Sequence, residues 1–78
     1  MLSVKKMIDL YVSYELDETT WNMLYNMVNH GLISSENWEK FYTTCKGWSF
    51  EENGQTIEDE NGKVIYRRNE NGYLVKVK

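Results

Sequence analysis

The chain has 78 residues, length for one domain and too little for two that each bury a core. It is 41% hydrophobic and 27% charged, with a net charge of −3, which excludes a disordered tail and disfavours generic adhesion to nucleic acid or anionic lipid. One cysteine, Cys45, and one histidine, His30, exclude an internal disulfide and a Cys/His zinc site.

The expected organisation is a single α+β domain: residues 1–47 form a helical half, and residues 48–78 form a four-stranded antiparallel β-meander. In the N-terminal stretch, Val4, Met7, Ile8, Tyr11 and Val12 recur at helical spacing behind Ser3, a good N-cap. Where this helix ends is open, because Tyr11-Val12-Ser13-Tyr14 is β-prone. A second helix is expected after Asp17 as N-cap, with Trp21, Leu24, Tyr25 and Val28 on one face and Gly31 as the stop. A third follows Ser34, with Trp38, Phe41, Tyr42 and Cys45 on its face and Gly47 as the stop. These two faces align at an offset of 17 residues: Trp21 with Trp38, Leu24 with Phe41, Tyr25 with Tyr42, Val28 with Cys45. Two helices packing on one core require such a match, with or without a duplication.

Asn-Gly then occurs three times, at Asn53-Gly54, Asn61-Gly62 and Asn71-Gly72, each time behind a glutamate. The pair favours two-residue type I′ turns, in which both central residues take positive φ. Turns of that length set Phe50 opposite Ile57, Ile57 opposite Tyr66, and Tyr66 opposite Val77. Trp48, Phe50, Ile57, Val64, Tyr66, Val75 and Val77 then share one face. Glu60-Asn61-Gly62-Lys63 also suits a three-residue loop with a bulge, which shifts the register by one. The two-residue register places Glu60 opposite Lys63, and Glu58 near Lys63 and Arg67, so the acidic and basic runs would pair across strands. A single core is expected from Trp21, Trp38, Phe41, Trp48, Phe50, Ile57 and Tyr66, with the helices on one face of the sheet.

No catalytic, cofactor or metal signature is present. His30 falls at a helix C-terminus and Cys45 at a core position, and every glycine is a helix stop or a turn. Helix two, Gly31 to Ser34 and helix three have the outline of a helix-turn-helix. The second of those helices, however, carries Glu36, Glu39, Lys40 and Lys46, which sum to zero charge. No apolar run reaches membrane-spanning length and no signal peptide is evident, so a cytoplasmic protein is expected. The Asn-, Lys-, Tyr- and Ile-rich composition without Ala or Pro points to an AT-rich genome, that of a low-GC bacterium or a phage.

By elimination, the chain is expected to be a protein-interaction or inhibitory module whose partner is another protein, with no cofactor and no membrane. The alternative is a nucleic-acid-binding domain using the basic outer face of the last two strands. The expected binding surface is Ile65, Arg67, Leu74, Lys76 and Lys78, which the two-residue register places together away from the helices.

Overall fold

A computed structural model describes residues 1–78, and it shows an α+β fold of three helices followed by a four-stranded antiparallel sheet. The helices are α1 (Val4–Ser13), α2 (Glu18–Asn29) and α3 (Ser35–Cys45). The strands β1 (Ser49–Phe50), β2 (Thr56–Glu58), β3 (Val64–Arg68) and β4 (Leu74–Lys76) pair in sequence order. The chain divides into two compact units, Met1–Cys45 and Lys46–Lys78.

In the first unit the caps do most of what the sequence leads one to expect. The Ser3 hydroxyl accepts the Lys6 N–H, and the Ser34 hydroxyl accepts the Asn37 N–H, both at 3.1 Å. Each satisfies one amide that the first helical turn leaves without an intrahelical partner. Asp17 occupies the N-cap position of α2 with extended backbone, but its side chain makes no capping hydrogen bond. α2 ends in a Schellman arrangement: Leu32 N–H donates to Met27 O, Gly31 N–H to Val28 O, and Gly31 has φ +77°. α1 runs on through the β-prone Tyr11–Ser13 and ends without a glycine. Leu16 N–H reaches back to Tyr11 O, and Glu15 and Leu16 both take left-handed backbone, at φ 56° and 59°. Each such residue costs roughly 1–2 kcal/mol relative to glycine. Leu2 is tied to the α2–α3 connection, its N–H donating to Leu32 O and its carbonyl accepting from the Asn37 side chain.

In the second unit the turns differ from type I′, and the difference carries through the sheet. Gly54, Gly62 and Gly72 have positive φ, but the asparagines before them do not. Each glycine N–H instead donates to the carbonyl three residues earlier: Gly54 to Glu51, Gly62 to Asp59, Gly72 to Asn69. That is a type I turn with glycine in the left-handed position after it, the usual build of longer hairpin loops. The side chain at the first turn position then accepts two backbone N–H groups. Asp59 Oδ1 takes those of Asn61 and Lys63, at 2.9 and 3.0 Å, and Asn69 Oδ1 takes those of Asn71 and Tyr73, at 2.9 and 3.0 Å. Glu51, one methylene longer, uses both of its oxygens, Oε2 for the Asn53 N–H and Oε1 for the Gln55 N–H. The second and third loops close between Asp59 and Lys63 and between Asn69 and Tyr73, whereas the first closes one residue later, at Thr56.

The register follows from these loop lengths. Phe50 faces Ile57 and Ile57 faces Tyr66, the pairs expected from two-residue turns. The second pair holds because a bulge compensates for the longer turn: Glu58 faces Val64, Ile57 faces Tyr66, and Ile65 is the extra residue between them. No such bulge follows the third turn. Tyr66 therefore faces Lys76 rather than Val77, Arg67 faces Val75, and Arg68 faces Leu74. Every β4 side chain consequently lies on the face opposite to that expected from a two-residue turn, because strand neighbours alternate. The expected Glu–Lys pairs across the second turn do not form. Glu58 stands opposite Val64, and Lys63 is held by its backbone to Asp59. Exposed ion pairs form instead within helices, Lys5 with Asp9 and Lys40 with Glu36.

Two tests address this architecture. Gly47 and Gly62 share φ +80°, but only at Gly47 would an added Cβ lie 2.7 Å from Glu60 Cβ. Gly62→Ala should cost about 1–2 kcal/mol from backbone strain alone, and Gly47→Ala more, as read from urea midpoints. The Glu51 carboxyl is held below the usual glutamate range, first by the Asn53 N–H, then by that of Gln55. A depressed carboxylate pKa contributes stability that is present above the unfolded value and is lost as pH falls through the folded one. Hydrogen exchange at the Asn53 and Gln55 amides should therefore lose protection at the acid end of the glutamate range. Glu51→Gln, which keeps an acceptor without a titrating group, should abolish that dependence.

Candidate protein-binding surface

α1, α2 and α3 bring their rings into one array. Phe41 is fully buried and has Tyr11, Trp21 and Trp38 around it, with centroids 5.6, 5.2 and 5.5 Å away. Met7, Leu24, Ile33 and Cys45 are also buried in this unit. Trp21 and Trp38, the residues related by the 17-residue offset, meet edge to face at 5.3 Å. Their tyrosine counterparts cross over: Trp21 contacts Tyr42 at 5.8 Å and Trp38 contacts Tyr25 at 5.4 Å. The equivalence of the two faces is thus a reciprocal packing, in which each helix's tryptophan holds the other's tyrosine.

The outer members of the array are not core. The sequence periodicity puts Tyr25 and Tyr42 among the buried positions, yet they are 49% and 44% exposed, while Trp21 and Trp38 are half-buried. Small α-helices carry an apolar stripe wider than one neighbour covers, so its margin emerges at the surface. The result is an exposed pair of tyrosines, each braced by a tryptophan ring. Rings fixed in this way lose little freedom on binding, which is why Tyr and Trp are enriched at interface centres.

The five residues expected on the outer sheet face are dispersed by the register. Arg67 is exposed opposite Val75. Leu74 and Lys76 stand opposite Arg68 and Tyr66, on the other face. Ile65 is the bulge residue, its carbonyl accepting Val77 N–H, and Lys78 lies beyond β4. The cause is the third turn, which closes between Asn69 and Tyr73 with no bulge to restore the register. Arg68 turns inward on the sheet unit: Nε donates to Gly54 O at 2.7 Å, Nη1 to Gly72 O at 3.1 Å, and its guanidinium sits 5.6 Å from the Phe50 ring centroid.

Other chemistry is sparse. Burial pushes the Cys45 thiol up to about 12, so the nucleophilic thiolate is not available near neutral pH. The same burial raises the Tyr11 phenol, with a smaller contribution from Cys45. His30 is exposed at the C-cap of α2. No group of three or more His, Cys, Asp or Glu side chains is gathered as a metal site, and no buried side-chain polar atom lacks a partner. No helix is long and apolar enough to cross a membrane.

The two members of the array next to each other in sequence should behave oppositely. Phe41→Ala should cost about 3–5 kcal/mol, whereas Tyr42→Ala, losing a half-exposed ring, should leave most of the stability, both read from thermal or urea unfolding. No known protein family matches the chain, and no curated protein or solved structure is significantly similar to it.

Proposed function

We propose that this chain is a protein-interaction module, inhibitory in the sense that it acts by occupying a partner's surface, and that Tyr25 and Tyr42 with their supporting Trp21 and Trp38 form its contact surface. The supporting observation is the exposure of two tyrosines that the packing holds in place from behind. A solvent-facing margin of α2 and α3 needs no aromatic rings to form the helices. Rigid amphipathic rings with a hydroxyl at the tip are suited to a centre that excludes water from neighbouring hydrogen bonds. The composition, which matches AT-rich genomes, fits an accessory protein of a low-GC bacterium, a phage or a mobile element acting in the cytoplasm.

The alternative, nucleic-acid binding through the last two strands, has less to support it. Arg67 and Lys76 fall on different faces, and Arg68 is engaged with two turn carbonyls. Phosphate tracking needs several bases on one surface.

The test is affinity capture from the host with mass spectrometry, followed by binding measurements with the identified partner. Tyr25→Ser with Tyr42→Ser should weaken binding by about a hundredfold, the effect of losing one or two central aromatic contacts. Arg67→Glu with Lys76→Glu should change it little. Unchanged affinity in the folded tyrosine double variant, or tight oligonucleotide binding that falls steeply with salt, would overturn the reading.

A further inference from the structure

The second unit contains three copies of the most labile dipeptide in protein chemistry, each built into the same arrangement. In an Asn-Gly unit, the glycine amide nitrogen, once deprotonated by solvent base, can attack the asparagine side-chain carbonyl carbon. A new C–N bond closes a succinimide ring, the bond to the side-chain nitrogen breaks, and that nitrogen leaves as ammonia. Water then opens the ring at either carbonyl, giving aspartate or isoaspartate. Only water is consumed and no oxidant or reductant takes part. Glycine makes the step easy because it places no side chain beside the attacking nitrogen.

For the attack, the glycine nitrogen must lose its hydrogen and swing toward the asparagine side chain. All three turns oppose both requirements. The N–H groups of Gly54, Gly62 and Gly72 are engaged to Glu51, Asp59 and Asn69 carbonyls at 2.9, 3.0 and 3.0 Å. The amides on either side of each glycine nitrogen, those of the asparagine and of the residue after the glycine, are fixed by the capping side chain. Rotation about the asparagine backbone therefore requires the whole turn to open. We propose that Asn53, Asn61 and Asn71 are latent deamidation sites guarded by the side chains of Glu51, Asp59 and Asn69, and that Asn61 is the one that reacts first.

The order comes from Arg68. Its guanidinium ties the carbonyls of Gly54 and Gly72, so opening the first or third turn also breaks a charge-assisted hydrogen bond. The Gly62 turn lies at the other end of β3 from Arg68; its hydrogen bonds come from Asp59, and Glu60 packs beside Gly47 without a charge-assisted tie. Reaction there lowers the net charge by one. The isoaspartate product also inserts an extra backbone carbon into the loop that sets the β2–β3 register.

The experiment incubates the full chain at mildly alkaline pH, in buffer and in concentrated urea, and follows each site by peptide mapping with isoaspartate detection. In urea the three asparagines should react at similar rates. In buffer all should be slower by about tenfold or more, the factor that one turn hydrogen bond supplies, and Asn61 should lead. Equal rates in buffer and urea, or another site leading, overturn the proposal, and neither readout needs a variant. Asp59→Ala should then speed Asn61 while leaving Asn53 and Asn71 as they were. Asp59→Asn, which copies the acceptor of the third turn, should restore the slow rate. No acceleration in Asp59→Ala, equal acceleration at all three sites, or no rescue by Asp59→Asn would refute guarding by the individual capping side chain.

Discussion

The sheet half of this protein depends on one kind of hydrogen bond: a side-chain oxygen at the start of each turn accepting backbone amides beyond it. In a unit of 33 residues whose strands are two to five residues long, there is little ladder to dictate pairing. Short strands leave register to the loops. Glu51, Asp59 and Asn69 hold the three turns closed, the loop lengths set which residues face one another, and that decides which side chains share a surface. The bulge at Ile65 belongs to the same logic. It recovers the Ile57–Tyr66 pair that the longer second turn would otherwise displace, and so keeps a fully buried isoleucine opposite an aromatic ring.

The helical half solves a different problem. It has neither alanine-rich helices nor long ones, the three being 10, 12 and 11 residues. Isolated helices of that size are marginal in water, so tertiary packing has to supply the stability. It does so through aromatics arranged around Phe41. Edge-to-face and tilted ring pairs contribute about 0.5–1.5 kcal/mol each beyond the area they bury, and several converge here. The two left-handed residues after α1 fit the same account. A turn strained by a few kcal/mol persists only where the packing on either side determines it.

Much of this is legible in residue order, and the departures have identifiable physical causes. Apolar periodicity locates the helices, Ser3 and Ser34 mark two starts, and the Asn-Gly pairs locate the hairpins. The pair alone does not decide turn type, because the residue two places before it also acts. Aspartate or asparagine at the first position with glycine at the fourth is the signature of a type I turn, and both Asp59-Glu60-Asn61-Gly62 and Asn69-Glu70-Asn71-Gly72 display it. The effect propagates: one residue in the third loop reverses β4, and the surface expected around Arg67 and Lys76 divides between two faces. The aromatic surface is visible in the sequence as a pattern that resembles core. Periodicity gives the direction of a side chain and not the depth of what covers it, so it places Tyr25 and Tyr42 without revealing their exposure.

The capped turn also has a consequence for how such a sheet can change over time. Each turn carries its instructions within five consecutive residues, and three different acceptors, glutamate, aspartate and asparagine, serve in the same position. The acceptor's charge and length are thus free to vary while the two amides it holds are the same. Aspartate and asparagine cap loops that close over the same number of residues, so exchanging one for the other alters the electrostatic character of a loop and leaves strand pairing alone. A lineage built on this scheme can drift in charge without losing its topology, and can turn a whole strand over by gaining or losing one bulge residue, the difference between the second and third hairpins.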